Sequence, residues 1–119
     1  MKHFVVGISG ASGAILAVKL IQQLAAMKHH IDVLISPSGR KTLYYELKTS
    51  SFTNLFSKKE LQNISIHKIT AIDSPLASGS YSVDAMIIIP CSMATIAAIS
   101  IGLGDNLLRR AADVALKEK

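Results

Sequence analysis

Gly7, Gly10 and Gly13 recur at intervals of three, with Ser9 and Ser12 between them. Glycines let a backbone approach a ligand closely, and serine hydroxyls can donate to phosphate oxygens. The resulting G-x-x-G-x-x-G is neither the dinucleotide-binding G-x-G-x-x-G nor a P-loop, which needs G-K-[ST]. It suits either a phosphate cradle or a plain turn between a strand and a helix. A second run of this kind, Cys91-Ser92-Met93-Ala94-Thr95, offers two hydroxyls three residues apart. Ser36 reads either as a ligand contact or as a helix cap. Glu46, Arg110 and Lys117 read as solvated helix charges by residue type alone. His3, His29, His30 and His67 have no metal-ligand spacing with one another, with Cys91 or with a carboxylate, so surface or loop-end positions and no metal are expected.

The surrounding pattern supplies the elements that position these groups. Four apolar, β-branched runs read as strands: Phe4–Gly7, Ile31–Ile35, Ile64–Ile69 and Ala85–Pro90. A helical pattern from about Ala14 should end near Lys28-His29-His30, cations that suit a helix C-terminus. Strand, helix and strand in this order predict a right-handed βαβ unit with parallel strands. Arg40 to Lys48 predicts a short helix, Thr49 to Asn63 an irregular helical insert, and Asp73-Ser74-Pro75 a turn. After Pro90 the opening logic repeats as strand, small polar turn and helix. Asp105-Asn106 then caps a last helix from Leu107 to about Lys117. The first glycine loop, Ser36, and Ser92 with Thr95 would all lie at the carboxyl ends of parallel strands, where open α/β sheets bind ligands. Helix N-termini there favour anions.

Length and composition set limits. The 119 residues suit one domain, 1–119, with one core. Half the residues are hydrophobic and 18% are charged, so the chain is globular, with a sheet covered on both faces or surface buried between subunits. The net charge is +5, but the basic residues are scattered and aromatics make up only 5%, which argues against nucleic acid. A single cysteine, Cys91, excludes an intrachain disulfide and fits a reducing, cytoplasmic setting. The apolar run from Ala85 to Ile101 is broken by Pro90, Ser92 and Thr95, so no membrane span is expected.

Taken together, five segments in order resemble the N-terminal part of the flavin prenyltransferases of UbiX/Pad type. They are Gly7-Ile8-Ser9-Gly10-Ala11-Ser12-Gly13-Ala14, Ile35-Ser36, Ser78-Gly79-Ser80, Pro90-Cys91-Ser92-Met93-Ala94-Thr95, and the run from Asp105 to Glu118. The resemblance implies a flavodoxin-like or Rossmann-like parallel sheet flanked by helices, binding FMN. It implies transfer of a dimethylallyl group from dimethylallyl phosphate to reduced FMN. The prenylated product would serve a UbiD-type decarboxylase, as in ubiquinone biosynthesis. It also implies a large homo-oligomer, commonly a dodecamer, with flavin at subunit interfaces.

Carried over by position, the resemblance assigns FMN contacts to Gly10, Ala11, Ser12, Ser36, Ser92, Met93, Ala94 and Thr95, with Arg110 at the phosphate. It assigns proton handling in the prenyl step to Ser12 and Glu46, and places Lys117 near the prenyl phosphate. Ala94 stands where many relatives have Lys. The family pattern also continues past Lys119, through an Arg-Glu-Thr-Pro segment and a later Tyr and Arg, so the fold is expected to be truncated at its C-terminus. The alternatives are an FMN-binding remnant without activity and a related flavoprotein decarboxylase acting on a cysteinyl substrate. The latter usually carry Pro-Ala-Ser-Ala-Asn-Thr in place of residues 90–95.

Overall fold

Four parallel strands form one sheet in the order β3-β2-β1-β4, where β1 is His3–Ile8, β2 His30–Ile35, β3 Ile64–His67 and β4 Ala85–Ile88. The structure is a computed structural model and describes residues 1–79 and 81–118. Strand order reverses at β1, because the chain moves outward to β2 and β3 and then returns to place β4 on the other side. Leaving out β3, the order is that of flavodoxin-like sheets; with it, that of the first Rossmann half. The expected α/β class is therefore the one observed, with each strand within two residues of its expected ends.

Alternation along the strands divides the core. Val6, Ile8, Ile31, Val33 and Ile35 face helix α1 (Ala14–Ala26), which buries Ala14, Ala17, Val18, Ile21 and Ala25 at spacings of three and four. Val5 and Leu34 face the opposite way, toward Leu76 and helix α5 (Leu107–Glu118), which buries Leu107, Leu108, Ala111 and Ala112. Each fully buried Leu or Ile side chain contributes about 1.5–3 kcal/mol of transfer free energy. Gly7 leaves room for α5: a Cβ there would lie 3.1 Å from the Leu108 side chain.

Helix α2 (Pro37–Leu47) starts three residues before the expected Arg40, because Ser36 caps it and Pro37 fits its first turn. The insert contains a 3-10 turn at Phe52–Leu55 and the short helix α3 (Lys58–Leu61), closed by a Ser57–Glu60 capping box. Helix α4 is Met93–Ser100. Asn106 caps α5 by accepting from the Arg109 N–H at 2.8 Å, while Asp105 pairs with the Arg109 side chain.

The histidines depart from expectation. His30 opens β2 rather than closing α1, which stops at Ala26. His3, His30 and His67 are half-buried and gather around Asp32, whose side chain is 2% exposed. Parallel pairing aligns His3 with His30, and sheet alternation turns both toward the α5 face with Asp32. Burial alone would raise the Asp32 pKa. Hydrogen bonds and charge from His67 and His3 outweigh it and hold the carboxyl below its usual range.

Candidate functional site

Three loops meet at the carboxyl edge of the sheet: residues 9–13 after β1, 36–39 after β2 and 89–92 after β4. Each leads into a helix, so the N-termini of α1, α2 and α4 all open on this edge. The meeting point lies where the strand order reverses, the usual crevice of such sheets.

Ser9 joins the first and third loops. It is 1% exposed; its hydroxyl donates to the Pro90 carbonyl at 2.8 Å and accepts from the Ser92 N–H at 2.7 Å, while its own N–H donates to the same carbonyl at 3.1 Å. Gly10 lets the first loop meet the second: a Cβ there would lie 2.4 Å from Ser38 Cβ. Gly13 has φ +104°, a conformation that suits glycine, at the entry to α1.

The α1 N-terminus is already occupied. Glu46, on the last turn of α2, accepts from the Ala14 N–H at 2.9 Å and from the Gly13 N–H at 3.2 Å. It is thus a cap and not a free surface charge, and one of the amides it caps, Gly13, directly follows Ser12. Ser12 is exposed, and its hydroxyl makes no hydrogen bond among the described residues. Ser36 acts as the α2 cap, accepting from the Gly39 N–H at 3.0 Å. At α4 the Ser92 hydroxyl accepts from the Thr95 N–H at 3.2 Å and donates to Thr95 Oγ1 at 2.9 Å. Thr95 is buried behind Ser92 and supports it. The N–H groups of Met93 and Ala94 find no acceptor among the described residues, so the α4 N-terminus keeps two donors open to an anion.

Arg110 stands in the first turn of α5, at the end where Leu108 packs on Gly7. It is exposed and has no ion-pair partner among the described residues. Lys117 lies at the far end of that helix, two turns beyond Arg110, and pairs with Asp113 at 3.1 Å. The structure thus brings together Gly10, Ala11, Ser12, Ser36, Glu46 and Ser92 to Thr95, puts Arg110 on the same edge, and separates Lys117 from them. Of the small-residue loop before β4, Ser78 and Gly79 lie away from this edge, beside the C-terminal end of α5, and Ser80 lies outside the described residues. A cavity of about 560 Å³ lies there too, between Met86, Tyr81, Leu76, Ala111 and Ala115, at the open flank of β4 and not among the three loops.

Cys91 lies between the joined loops. Burial pushes its thiol up, a hydrogen bond with Ser9 offsets this in part, and the protonated thiol is the form present at neutral pH. Sequence reasoning names Ser9 only as a serine of the glycine motif and does not foresee that it joins the two loops. Its only signal was its place at the end of a buried strand inside the glycine motif.

Comparison with known proteins fits this arrangement. The model of the family described as Flavoprotein matches residues 1–119. A flavin prenyltransferase UbiX from Chlamydia pneumoniae is 69% identical over 119 residues, covering 100% of this chain and 62% of that protein. The crystal structure of AnUbiX (PadA1) in complex with FMN and dimethylallyl pyrophosphate superposes with a TM-score of 0.85 at 35% identity, covering 98% of this chain and 60% of that one. A dodecameric FMN-dependent Ubix-like decarboxylase from Escherichia coli O157:H7 gives 0.82 at 36% identity, with 98% and 60% covered. The chain therefore spans about three fifths of the length of these relatives.

Proposed function

The chain belongs to the flavoprotein family, and on that premise we propose that it carries the FMN-binding part of a flavin prenyltransferase. The observation that supports this best is the joined pair of loops at the strand-order reversal, with unpaired amides at Met93 and Ala94. These donors, with the Ser12 hydroxyl and the Arg110 guanidinium, both without partners among the described residues, form a set suited to a phosphate and a polar ring edge. The exposed apolar side chains of Ile15, Leu16, Met93 and Ile96, on the first turns of α1 and α4, suit a flat ring system and a covering subunit.

Reduced FMN would supply the nucleophilic ring, and dimethylallyl phosphate the allyl group with phosphate as leaving group. The chain's own part is to hold and orient. The α4 amides and Arg110 offset phosphate charge with fixed dipoles and a cation. Glu46, held on the Gly13 and Ala14 amides, keeps a carboxylate next to the residue after Ser12, where it could exchange a proton with the Ser12 hydroxyl or the reacting flavin. Because Glu46 fills the α1 N-terminus, and α4 offers two open amides with Arg110 on the same edge, the flavin phosphate is placed at α4 and Arg110 in this reading. Ser36 and Gly10 shape the second wall. Within one chain Lys117 is turned away, and a role for it at the prenyl phosphate requires a neighbouring copy.

This reading includes a homo-oligomer, supported by the exposed Ile101 and Leu103 in addition to the apolar groups above. It also includes delivery of the prenylated flavin to a UbiD-type decarboxylase, and a cytoplasmic setting consistent with the free Cys91. No helix among the described residues is long and apolar enough to cross a membrane.

The test is to titrate the purified chain with FMN, then add dithionite and dimethylallyl phosphate without oxygen and weigh the flavin. Bound FMN that gains one five-carbon unit is the expected result. Bound FMN without a mass change would reduce the proposal to a flavin-binding remnant, and no binding would overturn it.

A further inference from the structure

At the opposite edge of the sheet, His3 and Asp32 are hydrogen-bond partners through Nε2 and Oδ2. The His3 Nδ1 lies 2.8 Å from the Ser82 carbonyl, which can only accept, so Nδ1 carries a proton. In the neutral ring Nε2 then presents a lone pair to a carboxylate oxygen, which also only accepts. The contact is favourable only with a proton between the two atoms or, once the pair is opened, with a metal ion held by both.

The surroundings favour the metal. His30 Nε2 lies 3.5 Å from Asp32 Oδ1. The ligand atoms of His3, His30 and Asp32 all fall within 4.8 Å of one another. Four-coordinate zinc, with bonds of about 2.0–2.2 Å, separates its ligand atoms by about 3.4 Å, so an ion would enter by opening the His3–Asp32 hydrogen bond while His30 keeps its place beside the carboxylate. The supporting contacts are also present. The Ser82 carbonyl fixes the His3 tautomer, His67 Nε2 donates to Asp32 Oδ1 at 2.6 Å, and the Tyr81 hydroxyl donates to Oδ2 at 3.2 Å. No Lys or Arg pairs with Asp32 among the described residues. The carboxylate is buried, while the His3, His30 and His67 side chains are 18%, 31% and 25% exposed, which leaves an ion a path from solvent.

We propose that His3, His30 and Asp32 bind a divalent transition-metal ion of the zinc class, with His67 and Tyr81 orienting the carboxylate and a water completing the shell. Two imidazoles with one carboxylate select this class over magnesium or calcium, which prefer all-oxygen shells. The ion would tie β1, β2 and the segment leading into β4 at the amino edge. Along β1 it lies about 20 Å from Ser9, so the inference does not depend on the flavin reading.

The experiment strips the untagged chain with chelator and titrates Zn²⁺ by calorimetry, with metal content measured after desalting. One ion per chain and a higher melting temperature are expected. His3→Ala and His30→Ala should each weaken binding by about tenfold or more, and His29→Ala should leave it unchanged. His30→Ala is decisive, because the His30 ring has no contact closer than 3.5 Å to Asp32 or Ser65 and its loss should not unfold the chain. Cobalt substitution should give the absorption of a four-coordinate site in the wild type and lose it in His30→Ala. Absence of stoichiometric binding, binding that survives both variants, or loss on His29→Ala alone would overturn the proposal and leave His3 an imidazolium paired with Asp32.

Discussion

Replacing Ser9 by alanine should separate the two loops that frame the site. The hydroxyl makes two bonds, at 2.8 Å to the Pro90 carbonyl and 2.7 Å from the Ser92 N–H. Without it the carbonyl keeps the Ser9 N–H at 3.1 Å, but the Ser92 N–H has no other acceptor among the described residues. A net bond is worth about 1 kcal/mol, and a part-buried amide left unpaired costs about 1–3 kcal/mol, so Ser9→Ala should destabilise the chain by about 2 kcal/mol. With an unfolding entropy of about 2.1 cal/mol/K per residue over 119 residues, the melting temperature should fall by about 8 °C. Circular dichroism melts measure this, and FMN titration measures the accompanying loss of affinity. Ser12→Ala is the internal control: its hydroxyl is exposed and unbonded, so the melt should be unchanged while FMN affinity falls. If Ser9→Ala melted within about 2 °C of wild type and bound FMN equally well, the loops would be held by something else and the reasoning would fail.

Other consequences can be measured in the same way. Glu46→Ala exposes the Gly13 and Ala14 amides and removes a negative charge from the α1 N-terminus, so it should cost about 1 kcal/mol in a urea melt; an unchanged midpoint would mean that water caps the helix equally well. Arg110→Ala should weaken FMN more than riboflavin, which lacks the phosphate, and equal losses in fluorescence titrations would remove Arg110 from the phosphate. Burial raises the Cys91 pKa above its ordinary value, so the reactive thiolate appears only at higher pH. Iodoacetamide labelling should be slow at neutral pH, rise steeply in the alkaline range and be suppressed by FMN. Fast labelling at neutral pH would contradict the raised thiol pKa.

The fold was legible because its signals are local. Val5 to Ile8, Ile31 to Ile35 and Ala85 to Ile88 are short apolar runs, and each is followed by a small polar turn and a helical pattern. That order alone requires parallel strands and places the loops on one edge. The start of α2 was read late because the Ser36 cap and Pro37 outweigh the weak apolar periodicity of its first turn. Within the site, hydroxyls were legible as candidates, but their division of labour was not. Ser36 and Ser92 cap helices, Thr95 supports Ser92, and Ser9 joins loops, and these roles depend on which neighbour each hydroxyl meets.

The histidines show the opposite limit. Metal motifs are recognised by short spacings because helices and turns bring i and i+3 or i+4 together. His3, His30 and His67 lie far apart in sequence, and what unites them is register. His3 pairs with His30, while Asp32 and His67 follow on the same face, two residues further along their strands than His30 and Ser65. In a parallel sheet the first residues of adjacent strands are neighbours whatever the length of the crossover between them. A histidine at the opening position of each of two adjacent parallel strands, with a carboxylate two residues into the second, is therefore a spacing signal in its own right. It becomes readable only after the strand order is known, because alternation then puts all three groups on one face of the sheet.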